Sequence, residues 1–319
     1  MRRCMTASLA KRKSRAIPED SDTVDASVDR RSVHLTHLNK IFWPRIKATK
    51  GDLLRYYQTM APVLVPHLRD RAMVMKRYPN GATGKCFFMK RAPSPRPEWV
   101  ETCAIEHDSG NVIDFPMVQD AASLLWLVNL GCIDLNQWYA RCDDIDRPDY
   151  LHFDLDPARG ANFERVRDVA LIVRDALAGL GMKSYAKTSG ATGMHVYVPI
   201  VRGPLQKQVW TFAKALAQTI ASQNPKIATA EYIIAKRPYG RVFVDYNQNA
   251  WGKTLASVYS VRPTATATVS TPVTWVEVEH GVEREAFDMR NVPDRVRTLG
   301  DLWAPMLAKR GRVPLEKFL

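Results

Sequence analysis

The sequence predicts an α+β fold in which helices pack on one face of an antiparallel sheet and the other face stays open. Three observations predict it. Short segments place apolar residues at strand spacing, longer segments place them at helical spacing, and two strands stand next to each other between helices. Adjacent strands with a short connection pair antiparallel, which favours helices gathered on one side of the sheet.

The elements after residue 150 follow the order strand, helix, two strands, helix, strand. They are a strand at 151–157, a helix between Asn162 and Gly181, strands at 184–188 and 194–200, a helix through 209–220 and a strand at 241–245. This order is typical of ferredoxin-like and RNA-recognition-like folds. We expect the open face of this sheet to carry the chemistry.

The N-terminal half predicts a smaller module. A helix begins at Thr49 and is closed by Pro66, apolar runs between 71 and 130 predict a small sheet, and residues 121–129 predict another helix. Residues 1–30 mix charged and small residues that cannot bury enough apolar area to order themselves. The predicted organisation is a flexible basic tail at 1–30, one domain at 31–306 with modules at about 31–130 and 131–306, and a C-terminal tail at 307–319.

Composition indicates the partner and the compartment. Among 319 residues, 46 lysines and arginines outnumber 33 acids, giving a formal net charge of +13. This excess favours a polyanionic partner such as nucleic acid, although a basic tail and a solvated surface would give the same charge. The five cysteines have no CxxC or zinc spacing, so we expect neither a disulfide framework nor structural zinc, and a reducing cytoplasm fits. No apolar run has membrane-spanning length, so no membrane role is expected.

The strongest chemical signal is the pair Asp154 and Asp156. Strand alternation places both carboxylates on one face, and Asp245 ends a later strand where it can join them. Hard divalent cations bind carboxylate oxygens, and two such ions serve phosphoryl transfer. A surface turn is the alternative reading of such acids, most of all for Asp245.

Two further clusters point to nucleotides and nucleic acid. The loop at 189–193 offers Ser189 and two glycines whose amides can approach a phosphate, and His195 follows on the next strand; a structural histidine is the alternative. Lysines and arginines surround Phe87 and Phe88, as in proteins that bind single strands, although a buried aromatic pair would look the same. The loop has no Walker A spacing.

Together these residues resemble the bacterial end-joining primase-polymerases, the polymerase module of ligase D in the archaeo-eukaryotic primase superfamily. The resemblance runs from about residue 35 to residue 306. It rests on Leu-Thr-His-Leu-Asn-Lys at 35–40, the segments 75–81, 87–88, 129–133 and 147–149, the strand with Asp154 and Asp156, the segment 189–195 and Val-Phe-Val-Asp at 242–245.

The resemblance implies an archaeo-eukaryotic primase fold and template-directed nucleotidyl transfer from NTP or dNTP, with two Mn2+ or Mg2+ ions. It implies DNA with gaps or broken ends as substrate, Ku and a DNA ligase as partners, and a bacterial, nucleoid-associated location. The implied residues are Asp154, Asp156 and Asp245 for catalysis and metal, Lys76, Ser189, His195, Gln248 and Arg262 for the nucleotide, Lys40 and Lys50 for a DNA 5'-phosphate, and Phe87 and Phe88 for the template.

Three positions depart from the family pattern. Thr192 stands where many members have lysine, Asn136 stands where histidine is usual, and His152 occupies a place that is usually apolar. Two rival functions remain open. A haloacid-dehalogenase-like phosphatase also uses Asp-x-Asp, but Ala158 stands where threonine or valine is expected. A non-catalytic module that binds nucleic-acid ends would share the basic charge and the pair Phe87 and Phe88.

Overall fold

A computed structural model describes residues 17–319 of the chain. The strands are β1 (Thr23–Val28), β2 (Arg31–Thr36), β3 (Ile41–Trp43), β4 (Ala48–Thr49), β5 (Met73–Arg77), β6 (Phe87–Met89), β7 (Thr102–Glu106), β8 (Val112–Pro116), β9 (Cys132–Trp138), β10 (Tyr150–Pro157), β11 (Tyr185–Thr188), β12 (Met194–Pro199), β13 (Ala228–Thr229), β14 (Val242–Asp245), β15 (Thr254–Ala256) and β16 (Pro272–Val273). The helices are α1 (Lys50–Leu68), α2 (Ala121–Asn129), α3 (Phe163–Gly179), α4 (Gln206–Gln223), α5 (Trp275–Glu279) and α6 (Val292–Leu299).

The central sheet has the strand order β13-β14-β10-β12-β11-β16. Its inner strands, β14-β10-β12-β11, pair antiparallel and reproduce the order of a ferredoxin-like or RNA-recognition-like fold, so the α+β prediction is confirmed. Helices α3 and α4 pack against this sheet. On β10, the fully buried Leu151, Phe153 and Leu155 alternate with His152, Asp154 and Asp156, which sets the polar side chains on the other face.

Helix α3 forms where the sequence predicts it. The Asn162 side chain accepts a hydrogen bond from the Arg165 amide at 3.0 Å and caps the first turn. The apolar positions three and four residues apart are all buried; they are Val166, Val169, Ala170, Val173 and Leu177. Burying each larger side chain contributes about 1.5–3 kcal/mol, which fixes this face of the sheet as the core.

A second sheet with the order β15-β9-β5-β6 lies beside the central one. The small sheet expected between 71 and 130 is therefore only partly right, because β7 and β8 form a separate hairpin and the strands β9 and β15 come from beyond residue 130. Local apolar patterns locate strands but do not say which strands pair. The sheets accordingly do not follow the expected module boundary near residue 130.

Three expected boundaries differ from the structure. Residues 23–28, assigned to a flexible tail, form β1 because Ala26 and Val28 alternate into the core; residues 1–16 lie outside the described part of the chain. Helix α1 continues through Pro66 to Leu68, and the buried Leu64 and Leu68 outweigh the lost proline hydrogen bond. Residues 307–319 are not a free tail, since Val313 hydrogen-bonds with the strand end at Pro199.

The cysteines also depart from expectation. Cys103 and Cys142 form a disulfide, with their Cα atoms 5.9 Å apart and a separation of 39 positions in sequence. Neighbouring-cysteine motifs cannot reveal a pair of this kind, because only the packing of β7 against the segment after β9 brings the two residues together. In residues 17–319, the helices are too short or too polar for any of them to cross a bilayer.

Candidate active site

The strand register places four buried polar side chains in one row across the face of the central sheet that points away from Leu151, Phe153 and Leu155. Asp154 on β10 stands opposite Asp245 on β14 and, on its other side, opposite His195 on β12. His195 in turn stands opposite Lys187 on β11. Asp156 lies one strand step beyond Asp154 on the same face. Four strands thus contribute one line of ionisable groups.

Close backbone packing makes this row possible. At Gly193, just before β12, a side-chain carbon would lie only 2.1 Å from the Leu155 carbonyl oxygen. Only glycine therefore fits where β12 begins beside β10.

The three acids repel one another. Burial and the charge of Asp154 raise the pKa of Asp245, and the charge of Asp154, followed by burial, raises the pKa of Asp156. Burial raises the pKa of Asp154 itself, against the opposing effect of Lys187. Within residues 17–319, neither Asp156 nor Asp245 forms an ion pair with a cationic side chain. The cluster therefore concentrates negative charge that its own neighbours do not fully compensate.

A divalent cation would supply the missing positive charge. The donor set, three carboxylates on one face of adjacent strands, is the oxygen-rich chemistry that Mg2+ and Mn2+ prefer. No group of three or more His, Cys, Asp or Glu side chains among the described residues has the spacing of a formed metal centre. Asp245 is held by the Asn247 amide at 2.7 Å and by Gln248 Nε2 at 3.0 Å. The acids thus fit the ions chemically, and a metal role for them is part of the proposal below.

His195 has two partners inside the protein. Its Nε2 atom lies 3.2 Å from Asp154 Oδ1, and its Nδ1 atom lies 2.7 Å from Lys187 Nζ. Burial, followed by the charge of Lys187, lowers the pKa of His195 well below its usual value, so the ring is neutral near pH 7. The direct contact with a phosphate expected from sequence remains a prediction, and Lys187 was missed.

The loop after β11 is closed by its own hydrogen bonds. Ser189 Oγ accepts from the amides of Ala191 and Gly193, at 3.1 and 3.0 Å. Of the two glycine amides expected to face a phosphate, that of Gly193 is therefore already engaged within the loop. Arg262 Nη1 donates to the Ser189 carbonyl at 2.9 Å, so two predicted nucleotide-binding residues do meet.

Asp134 of the second sheet pairs with two of the cations predicted to bind the nucleotide, and sequence reasoning missed it as well. This carboxylate is buried on β9; Lys76 Nζ lies 3.1 Å from Oδ2, and Arg262 Nε lies 3.1 Å from Oδ1 without hydrogen-bond geometry. Tyr78 donates its hydroxyl to Oδ2 at 3.2 Å. One buried anion therefore sets the spacing of two predicted triphosphate-binding cations.

Phe87 and Phe88 are surface residues. On β6 they are 43% and 66% exposed, which excludes the buried aromatic pair. The Arg77 guanidinium lies 5.3 Å from the Phe87 ring centre, and Lys76 Nζ lies 5.7 Å from that of Phe88. Exposed rings beside cations form a surface on which bases can stack.

Lys40 and Lys50 line one surface pocket together with Thr36, Arg77 and the backbone near Gly131. Lys50 is buried and donates to the Thr36 carbonyl at 2.6 Å. Burial, followed by repulsion from Lys40, lowers the pKa of Lys50 to about 8. The pocket has the charge to hold an anion.

His152 serves the packing of the open face. It is buried and stacks on Tyr197 with ring centres 5.1 Å apart, and neither ring nitrogen has a hydrogen-bond partner among residues 17–319. Burial lowers its pKa to about 3, so the ring is a neutral aromatic filler at pH 7.

Comparison with known proteins identifies the family that this chain matches. The family model described as "LigD, primase-polymerase domain" matches residues 49–303. A multifunctional non-homologous end joining protein LigD from Mycolicibacterium smegmatis is 33% identical over 86% of this chain and 36% of its own length. The LigD of Pseudomonas aeruginosa is 30% identical over 88% of this chain and 34% of its own.

A solved structure is also similar. It is the polymerase domain from Mycobacterium tuberculosis ligase D in complex with DNA, with a TM-score of 0.81, 29% identity, and coverage of 87% of this chain and 98% of that one. The chain spans about a third of the length of the curated relatives named above but nearly all of this domain.

Proposed function

The chain belongs to the family of LigD primase-polymerase domains, and on that basis we propose that it is a template-directed DNA polymerase and primase of double-strand break repair. It fills gaps or extends ends from NTP or dNTP. The observation that carries this proposal is the row of carboxylates, with Asp154 directly opposite Asp245 and Asp156 one strand step away.

Asp154, Asp156 and Asp245 would hold two divalent ions, Mn2+ or Mg2+. When bound, such ions lower the pKa of the attacking hydroxyl and neutralise charge on the phosphates. In the proposed reaction, the primer 3'-oxygen forms a bond to the α-phosphorus, the bond to pyrophosphate breaks, and the hydroxyl proton is released. The protein mainly has to position the reactants, since phosphoryl transfer needs little covalent chemistry from side chains.

The nucleotide pocket is built from the cations around the acid row. Lys76 and Arg262, spaced by Asp134, supply positive charge toward a triphosphate. Ser189 accepts a hydrogen bond from Arg262 through its carbonyl oxygen, and Gln248 donates to Asp245 and so orients that carboxylate. His195 holds Asp154 from the opposite strand. These contacts support the proposal that the nucleotide-binding residues surround one reacting centre.

DNA would occupy the second sheet and its surroundings. Phe87 and Phe88 would stack on the template, and Lys40 and Lys50 would hold the 5'-phosphate on the far side of a gap. The exposed rings and the basic pocket support these two roles. Ku and a DNA ligase are the proposed partners, in the bacterial cytoplasm where the chromosome is repaired.

Primer extension on a gapped duplex tests the proposal. The duplex carries a 5'-phosphate or a 5'-hydroxyl downstream, and NTP and dNTP are compared with Mn2+ and Mg2+. We expect template-directed products from the wild type and none from Asp156→Ala, with DNA binding and melting temperature retained. A wild-type protein that shifts DNA but yields no product under any of these conditions would instead be the non-catalytic end-binding module.

A further inference from the structure

Lys187 is a buried lysine that none of the roles above requires, and burial, followed by the charge of Arg262, lowers its pKa. Only 1% of the residue is exposed. Its Nζ atom contacts His195 Nδ1 at 2.7 Å, Ser270 Oγ at 2.6 Å and the Ala256 carbonyl oxygen at 3.0 Å. A buried ammonium is costly unless all its protons are paired, so these three contacts need an explanation.

The numbers of donors and acceptors on each group fix the direction of the three hydrogen bonds of Lys187. An ammonium has three donors and no acceptor, and the Ala256 carbonyl can only accept. The Ser270 hydroxyl donates to the Thr188 carbonyl at 2.9 Å, so its oxygen is left to accept from Lys187. The third N–H of the ammonium then donates to His195 Nδ1. A neutral amine has only two N–H groups, so one of the three acceptors would lack a hydrogen bond.

This assignment determines the tautomer of His195. Because Nδ1 accepts from Lys187, the single ring proton of the neutral imidazole resides on Nε2. Nε2 faces Asp154 Oδ1 at 3.2 Å, where an N–H can donate to the carboxylate. The opposite tautomer would set an Nε2 lone pair against a carboxylate oxygen and an Nδ1 proton against the ammonium.

We propose that Lys187 is a positioning residue, which acts through the tautomer and orientation of His195 to hold one oxygen of Asp154 in place. The other carboxylate oxygen then stays available to the reacting centre. The link from Lys187 to Asp154 stands on the geometry alone; only its consequence for nucleotidyl transfer rests on the proposed function. A Lys187 that merely fills space between β11 and the Ser270 segment is the competing explanation.

Nitrogen-15 NMR of the metal-free protein tests the link without any activity. Long-range spectra distinguish the two imidazole tautomers, and His195→Gln identifies the His195 signals among the seven histidines. We expect the Nε2–H tautomer of the neutral ring in the wild type, because Nδ1 faces Lys187 and Nε2 faces Asp154. An Nδ1–H tautomer or an imidazolium in the wild type would overturn the proposal, whatever the variants do.

Variants then distinguish a Lys187 that positions His195 from a Lys187 that only fills space. Lys187→Met keeps an unbranched side chain of similar length but removes the donors, so it should give a mixture of tautomers. Ser270→Ala is the matched control, because it removes another partner of Lys187 and leaves the bond to His195, so its tautomer should match the wild type. An unchanged tautomer in folded Lys187→Met would refute the link.

Kinetics tests the consequence. Residues that orient a metal ligand typically contribute about 10–100-fold to activity or metal affinity, so kcat for primer extension should fall by that factor in Lys187→Met with little change in nucleotide KM. In the His195→Gln background, Lys187→Met should add no further loss. Additive losses would support the space-filling role. If the wild type extends no primer, the proposed function fails while the tautomer result stands independently.

Discussion

The pocket of Lys40 and Lys50 makes a pH-dependent prediction that can be worked out from the structure. Lys50 is 5% exposed and has a pKa of about 8, because burial and the neighbouring Lys40 disfavour its charge. If Lys50 binds a DNA 5'-phosphate, only the protonated form attracts it. The phosphate keeps its second negative charge above about pH 7, so Lys50 is the group that titrates.

The expected size of the effect follows from the titration. About nine-tenths of Lys50 is protonated at about pH 7 and about one-tenth at about pH 9, so the Kd for a gapped duplex with a 5'-phosphate should rise about tenfold over that range. The Kd for the 5'-hydroxyl duplex should stay nearly constant. A lysine with the usual pKa near 10.4 would leave both values unchanged.

Fluorescence anisotropy with the two duplexes at several pH values measures this ratio. Lys50→Met should lose the preference for the phosphate at every pH, and Lys50→Arg, which stays charged, should keep it at about pH 9. If Lys50→Met retains the full preference, Lys50 does not bind the phosphate. A preference that is lost in Lys50→Met but does not vary with pH in the wild type would refute the lowered pKa.

The same pKa shift has a consequence for stability, with a definite sign. The pKa of Lys50 in the folded protein lies below that of the unfolded chain, so the unfolded chain binds more protons between about pH 8 and about pH 10.5. Its contribution to the free energy of unfolding therefore rises with pH across that window. Lys50→Met, which removes the buried charge, should be at least as stable as the wild type near pH 7.

Three further predictions concern the acids, the nucleotide pocket and the template surface. Mn2+ should raise the melting temperature of the wild type more at about pH 8 than at about pH 6, because the raised pKa of Asp156 keeps more of this carboxyl group protonated at the lower pH. If Mn2+ raised the melting temperature of Asp156→Asn by the same amounts, this explanation would be wrong. Asp134→Asn should raise the nucleotide KM about 10-fold in primer extension, because Lys76 and Arg262 lose the carboxylate that both contact. An unchanged KM would show that Asp134 does not position these two residues for nucleotide binding. Phe88→Ala should weaken binding of a single-stranded template by about 1–3 kcal/mol without lowering the melting temperature; Val112→Ala, an exposed apolar control, should change neither, and equal binding losses in both variants would argue against stacking.

Much of the fold was predictable because its signals are local. The cap at Asn162 and the apolar face of α3 lie within one helix, and alternation along β10 separates Asp154 from Leu155 without reference to any other strand. The order of the elements from β10 to β14 was therefore predicted correctly, except that the two-residue strand β13 was missed. Helix α2 was predicted with the boundaries that it has, residues 121–129.

The errors occurred where a local signal competed with tertiary packing. Pro66 usually ends a helix, yet α1 continues because Leu68 is buried against the core. The charges near residue 25 indicated a tail, whereas pairing with β2 orders that segment as β1. In both places long-range burial outweighs the local preference.

The sequence by itself determined which side chains share a strand or helix face, because that depends only on periodicity along one element. Only the tertiary structure decided which faces meet. Lys187 reaches His195, Asp134 lies between Lys76 and Arg262, and Cys103 finds Cys142 through strand register and sheet packing. Those contacts join residues that are far apart in sequence or on different strands, and no local pattern encodes such distances, because register is set by the burial of whole faces.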